Sequence, residues 1–358
     1  MDISKIDKNF AVEYKDEGGV VFYDVKNDPF KVYGLYDYKN QERYKRLPDE
    51  VAANVNPGVK NLYLDTAGGR VRFSTDSPYI VIEAELAGAR EMVHMPLSGS
   101  AGFDLYEDGA LSSEYRGSFL PPYRPNGIYK SKIAVRSGKV RNYTIHFPLY
   151  CGVKKLLVGI QEGSALGVGK DYKNSSPVVY YGSSITQGGC ASRPGNSYQN
   201  IASRRLELDH INLGFSGSGR GEKTIVDYMA SLDMCAFVSD YDHNAPNPEH
   251  LDRTAREMYR TIREAHPDMP YIMMTKPDFR KLTEHESVAR RKVIFDIYSD
   301  GILSGDKNLY FIDGESLFSG AYREMCTVDG THPNDIGFAL MADAVCDTLA
   351  HALFEGDL

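Results

Sequence analysis

The 358-residue chain is 42% hydrophobic and 25% charged, with a formal net charge of −8 at pH 7. That is the make-up of a globular protein with a sizeable core, and the length suits two domains. The acidic balance disfavours nucleic acid or anionic lipid as the main partner, since both reward clustered Lys and Arg.

The first stretch, "MDISKIDKNFAVEYKDEGG", has no basic segment followed by an apolar one, so no signal peptide is expected. No apolar run is long enough to span a bilayer, and no membrane partner is expected. Cys151, Cys190, Cys235, Cys326 and Cys346 are odd in number, widely spaced and free of C-x-x-C. They read as unpaired thiols in a reducing compartment, which makes a cytoplasmic location the expectation.

The first half reads as β. Residues 48–54 are briefly helical. Residues 68–75, 79–86, 132–137, 142–149 and 153–160 form strand-like runs, separated by Gly, Pro, Asp and Ser clusters. Short strands at this spacing predict a sandwich or barrel. "GVGKDYKNSS" (167–176) reads as the linker, and no internal repeat is visible.

Then the rhythm changes. Strands are predicted at 177–181, 210–215, 233–240, 270–275 and 308–313. Helices are predicted at 197–208, 247–266, 286–302 and 333–353. Strands alternating with 3.6-period segments imply a parallel sheet covered on both faces, with active residues just past the strand C-termini. "GSALGVGKD" (163–171) fails as a phosphate loop: Ser164 stands where glycine belongs, and Asp171 follows Lys170. No complete G-x-S-x-G occurs, and His243 and His250 give no zinc spacing.

A hydroxyl is a poor nucleophile without a base, an orienting acid and donors for the oxyanion. The strand ends offer all of these. "VVYYGSSITQGG" (178–189) ends its strand in Ser183 and Ser184. "NLGFSGSG" (212–219) offers backbone N–H groups on glycines. "SDYDHNAPNP" (239–248) offers the amide of Asn244. "TVDGTHPND" (327–335) offers Asp329 and His332. The Asp-x-x-His spacing occurs also at Asp240 and His243. Asp329 and His332 are preferred because His332 enters a patterned helix through Pro333. Each piece alone is also an ordinary turn or cap.

Taken together, these four blocks resemble the SGNH hydrolase superfamily, the GDSL esterases and lipases. "GFDLY" (102–106) is similar to the G-x-D-L-Y signature of a β-rich domain that precedes such esterase domains. The resemblance implies two domains. Residues 1–172 would form an all-β, jelly-roll-like sandwich. Residues 173–358 would form a flavodoxin-like α/β domain with a five-stranded parallel sheet in three αβα layers. It implies Ser184 as nucleophile, His332 as base and Asp329 as acid. It implies an oxyanion hole from the N–H groups of Ser184 and Gly217 and the amide of Asn244. No metal or organic cofactor is implied. The first block commonly carries Asp where this chain has Ser183, which leaves Ser183 as a rival hydroxyl.

The expected activity is hydrolysis of a small acyl ester, acetyl above all, on a small molecule or oligosaccharide. The alternatives are a GDSL-type lipase or acylhydrolase, and a non-catalytic carbohydrate-binding protein with a degenerate hydrolase domain. The sequence does not specify an oligomeric state.

Overall fold

The computed structural model describes residues 6–7, 14–15, 18–110, 112–136, 138–174, 176–277 and 284–354. In the first half, β-branched and aromatic residues build two sheets whose strands all pair antiparallel. One sheet runs β1 (Val20–Asp24), β9 (Cys151–Gln161), β4 (Tyr79–Ala89), β7 (Gly127–Ala134). The other runs β10 (Leu166–Val168), β3 (Arg70–Thr75), β8 (Arg141–His146), β5 (Phe103–Asp108), β6 (Ser113–Phe119), with β2 (Lys31–Tyr33) also on β3. Val71 and Phe73 from the second sheet share one buried cluster with Ile80, Ile82 and Val158 from the first. Facing sheets with a common core make a sandwich.

The sandwich departs from the expectation in three ways. Besides α1 (Asp49–Val55), where a brief helix was expected at 48–54, it carries α2 (Pro57–Leu62) and α3 (Leu97–Ser100). The start of α2 is encoded locally: Pro57 is its first residue, and Asn56 accepts the Val59 N–H at 2.9 Å. The strand expected at 132–137 lies at Gly127–Ala134, and Ser137 is outside the described residues. The expected linker is partly strand, since Gly167 and Val168 pair with Ser74 and Phe73. Ser175 of that linker is outside the described residues.

The second half is a parallel sheet of β11 (Val178–Gly182), β12 (His210–Gly214), β13 (Ala236–Asp240), β14 (Tyr271–Met274) and β15 (Leu309–Ile312). The order β12-β11-β13-β14-β15 is the flavodoxin-like arrangement. β11, β13 and β14 are buried at every position, which both-face coverage requires. The helices are α4 (Ser184–Gln187), α5 (Tyr198–Leu206), α6 (Lys223–Ala230), α7 (Pro248–Ala265), α8 (Glu284–Leu303), α9 (Gly314–Leu317) and α10 (Asp335–Phe354). Helix α6 has no counterpart in the sequence reading. Helix α7 begins as its sequence predicts: Asn247 accepts the His250 N–H at 2.8 Å, and Leu251, Ala255, Met258 and Ile262 are buried.

Two apolar layers sandwich this sheet. On one side Tyr198 and Ala202 of α5 pack with Phe338, Met341 and Val345 of α10. By length and composition α10 would suffice to cross a membrane; here its apolar residues join this core. On the other side α6, α7 and α8 join Leu47, Ala52, Val59 and Leu62 from the first half. Helices α1 and α2 therefore belong to the core of the parallel sheet. This apolar seam brings the first half against the ends of β11 and β12.

Candidate active site

β11 ends where its sequence demands glycine. A Cβ at Gly182 would lie 2.1 Å from Asp240 O and 2.1 Å from Thr186 Oγ1. Two hydroxyls follow, with different fates. Ser183 has extended backbone, φ −96° and ψ −156°, and is the N-cap of α4; its Oγ accepts the Ile185 N–H at 3.1 Å. Ser184 is the first residue of α4, and its Oγ lies 2.9 Å from His332 Nε2. As a first-turn residue it has no helix carbonyl for its N–H. The Tyr150 hydroxyl donates to Ser184 O at 3.2 Å.

His332 sits in a tight loop before α10. Val328 N–H donates to His332 O at 2.9 Å, and Gly330 takes a left-handed φ of +84° inside the turn. The turn folds Asp329 onto the imidazole, Oδ2 to Nδ1, at 2.7 Å. Asp329 Oδ1 accepts the N–H groups of Thr331 at 3.0 Å and His332 at 2.8 Å. Partial burial pushes this carboxyl up, but the hydrogen bonds from His332 and Thr331 outweigh it and hold it at about 2. An ionised carboxylate only accepts. The Nδ1 proton therefore faces Asp329, and Nε2 is left as the acceptor for the Ser184 hydroxyl.

The other two blocks supply donors at the ends of β12 and β13. After β12 the chain turns around Phe215 O, which accepts from Ser218 N–H at 2.9 Å and Gly219 N–H at 3.1 Å. Gly217 has φ +64°, and a Cβ there would meet nothing within 4 Å, so glycine is required by the backbone rather than by space. Among the described residues its N–H has no partner. Asn244 ends a short turn after β13, with its N–H on Tyr241 O at 3.0 Å. Arg290 of α8 braces that turn through Asp242 O at 2.8 Å and Ala245 O at 2.7 Å. The rival pair does not form: His243 Nδ1 bonds Asp242 Oδ1 at 3.0 Å, while Asp240 accepts from Thr186 at 3.0 Å.

The structure therefore joins Ser184, His332 and Asp329 in one hydrogen-bonded chain. It places Gly217 and Asn244 at the ends of the two strands flanking β11. It also adds residues the sequence reading did not single out. His94, from the first half, packs its ring edge-on to His332 with centroids 5.4 Å apart. Gln187, inside the first block, and Tyr150 also touch the site. Distance alone reveals His94 and Tyr150, for neither sits in a local motif.

A cleft of about 820 Å³ opens beside the Gly217 loop, lined by Arg43, Asn61, Arg90 and Glu91 from the first half and by Ser216 and Ser218. Two clusters bring three ligand-type atoms within 4.8 Å of one another: His94, Cys190 and His332, and Asp240, Asp242 and His243. In the first, burial pushes the Cys190 thiol up to about 12, and His332 Nε2 already faces Ser184. In the second, Asp242 is already bonded by His243 and by the Lys276 N–H.

A family model described as the GDSL-like lipase/acylhydrolase family matches residues 175–350, and one for the N-terminus of SGNH-hydrolase-type esterases, GxDLY, matches residues 20–166. No curated protein matches the chain in sequence. Among solved structures, one described as a GDSL-like lipase from Bacteroides ovatus is 25% identical, with TM-score 0.83, covering 93% of this chain and 98% of its own. The salicylyl-acyltransferase SsfX3 from a tetracycline biosynthetic pathway is 19% identical, with TM-score 0.75 over 94% of this chain and 98% of its own. The acetyl xylan esterase Est2A from the rumen bacterium Butyrivibrio proteoclasticus is 14% identical, with TM-score 0.60 over 94% of this chain and 100% of its own. Residues 175–350 form a GDSL-like lipase/acylhydrolase domain, residues 20–166 form the N-terminal domain of SGNH-type esterases, and the chain is a carboxylic ester hydrolase.

Proposed function

We propose that the enzyme removes small acyl groups, acetyl above all, from a carbohydrate by a Ser184–His332–Asp329 triad. The observation that carries this reading is the unbroken chain from Ser184 Oγ to His332 Nε2 at 2.9 Å and from His332 Nδ1 to Asp329 Oδ2 at 2.7 Å. Ser184 Oγ attacks the ester carbonyl while His332 Nε2 takes its proton. Asp329 holds the imidazole in the required tautomer and stabilises the imidazolium. The N–H groups of Ser184 and Gly217 and the side-chain amide of Asn244 receive the oxyanion. As the tetrahedral intermediate collapses, the acyl C–O bond to the sugar breaks and His332 protonates the leaving oxygen, giving the free sugar hydroxyl. Water, deprotonated by the same histidine, releases the acid from Ser184. No step requires a metal or organic cofactor.

Two features favour a glycan ester over a lipid. The cleft beside the oxyanion loop sets Arg43, Asn61, Arg90 and Glu91, groups able to bond sugar hydroxyls, beside an apolar wall of Leu62, Leu64 and Met92. The acetyl xylan esterase also shares this two-part fold over nearly its whole length. The test is a panel of p-nitrophenyl acetate, long-chain esters and acetylated oligosaccharides with wild type and Ser184→Ala. The reading predicts turnover of acetyl substrates, falling with chain length and abolished in Ser184→Ala. A preference for long-chain esters would replace it with the lipase reading. Oligosaccharide binding without turnover would replace it with the binding-protein reading.

A further inference from the structure

The loop that carries Gly217 is held largely from the first half of the chain. At its entry, Arg46 Nη1 donates to Gly214 O at 2.6 Å and to Asn212 O at 3.2 Å. Arg46 is 1% exposed and stacks on Phe215 at 4.5 Å. At its exit, Asn56 Nδ2 donates to Ser218 O at 3.0 Å. Between them lies the Ser216 N–H. It donates to Gln187 Oε1 at 3.0 Å.

Gln187 cannot present that oxygen by chance. A side-chain amide has one acceptor oxygen and one donor nitrogen, and either end can point either way. Its Nε2 donates to Asp65 Oδ2 at 3.1 Å and to Leu149 O at 3.2 Å, both in the first half. Two acceptors on one side leave a single orientation, with the oxygen toward Ser216. Asp65 is in turn held by Arg90 Nε at 2.9 Å. Gln187 is fully buried, and Asp65 is nearly so at the wall of the cleft. Burial pushes the Asp65 carboxyl up, and hydrogen bonds and charge from Arg90, Arg46 and Gln187 oppose that push.

We propose that Asp65 and Gln187 are positioning residues for the oxyanion: Asp65 orients the Gln187 amide, which fixes the Ser216 N–H and so aims the N–H of Gly217. The proposal rests on the assignment of Gly217 to the oxyanion hole. The physical reason is preorganisation. A donor aimed before the reaction needs no reorganisation as charge develops, and a displacement of about 1 Å costs up to about 10² in rate. Gly217, with φ +64° and open space where a Cβ would lie, has no side chain to hold it, and its own anchor is the bond from Arg220 Nη2 to its carbonyl at 3.1 Å. A first half that only gathered substrate would not need to reach this loop.

The experiment compares Gln187→Met, Asp65→Ala and Asp65→Asn in the full chain. It measures kcat and KM for p-nitrophenyl acetate, Ki for methylboronic acid, and Tm. Methylboronic acid adds to the serine as a tetrahedral adduct and places an oxygen in the oxyanion hole. Gln187→Met should lower kcat about 10–10²-fold with KM nearly unchanged, and weaken boronate binding in parallel. Asp65→Ala should follow it, and Asp65→Asn, which keeps an acceptor for Gln187, should recover most of the loss. Folded Gln187→Met with wild-type kcat and Ki overturns the proposal. So does a kcat loss that tracks Tm while Ki for the boronate stays put. Ser184→Ala separates the two levels: if it is inactive while Gln187→Met is fully active, only this proposal falls. If Ser184→Ala keeps wild-type turnover, the triad reading falls and this proposal with it.

Discussion

Two Asp–His pairs in this molecule have nearly the same geometry and opposite surroundings. Asp104 and His146 meet at 2.8 Å between neighbouring strands β5 and β8, with side chains 0% and 1% exposed. Asp329 and His332 meet at 2.7 Å in a loop, with side chains 38% and 24% exposed. Asp104 is the acid of "GFDLY". Its second oxygen accepts the Gly195 N–H at 2.8 Å, which ties the sandwich to the turn before α5. Among the described residues the far nitrogen of His146 is buried without a partner, and burial pulls the imidazole below its usual range. The far nitrogen of His332 faces a hydroxyl at 2.9 Å. The lesson concerns the second nitrogen. An acid–imidazole pair is a proton-transfer device when the imidazole's other side meets a nucleophile and opens to substrate, and a structural tie when it does not.

The largest effect should separate the pairs by kinetics. His332→Ala and Asp329→Asn should each lower kcat by about 10⁴-fold, as losses within a triad do. Asp104→Ala should leave kcat within about tenfold, since it touches no reacting atom. It should instead remove about 1–3 kcal/mol of unfolding free energy, because it orphans buried donors. Urea unfolding beside p-nitrophenyl acetate kinetics reads both quantities. A catalytic collapse in folded Asp104→Ala would break the comparison.

Asn244→Ala sharpens the same contrast from the oxyanion side. One donor lost should cost about 10²–10³ in kcat with little change in KM. Steady-state kinetics that moved KM alone would remove Asn244 from that role.

How much of this was legible in the sequence differs between the halves. In the parallel half, each strand is a short apolar run, and α7 carries a clear stripe in Leu251, Ala255, Met258 and Ile262, so these elements are legible from periodicity. The spacing of Asp329 and His332 places the pair within one turn, and chain order places it after the last strand. Helix α6 was hidden because its buried residues Ile225, Val226 and Met229 span barely two turns after a glycine-rich loop. In the sandwich half, strands β2 and β10 are three residues each, too short for alternation to register. The Asp104–His146 pair is 42 residues apart, and only strand pairing brings it together. Arg46 and Asp65 read as surface charges; tertiary packing buries them, with Arg46 donating to four backbone carbonyls. Ser183 shows the reverse case. It competed with Ser184 in the sequence, and its cap bond to Ile185 supplies a structural use for that hydroxyl.

Ser183→Ala should therefore cost about 1 kcal/mol in stability through the lost cap, with kcat within a few-fold of wild type. Loss of turnover comparable to Ser184→Ala would reopen the choice between the two hydroxyls.

The smallest effect is in the pH dependence of stability: both pairs lose stability as pH falls, but in different windows. Asp329 is depressed to about 2. Its contribution is present above about pH 4, the usual carboxylate range, and is lost as pH falls toward about 2. His146 is also depressed, but for a histidine this means that the unfolded chain takes a proton near pH 6.5 while the folded one does not. Stability should fall as pH drops below about 6.5, and His210, lowered still further by burial, adds to the fall. Between about pH 7 and 5 the slope of Tm should flatten in His146→Gln and stay unchanged in Asp329→Asn. An unchanged slope in His146→Gln would mean that His146 takes up its proton over the same pH range folded and unfolded, against the depression that burial imposes.

The most direct measurement is the site of covalent labelling. Wild-type enzyme treated with a small alkyl fluorophosphonate, digested and mapped by mass spectrometry, should carry one adduct on Ser184. Labelling should stop in Ser184→Ala and slow sharply in His332→Ala. An adduct on Ser183, or full esterase activity with Ser184 unlabelled, would contradict the account.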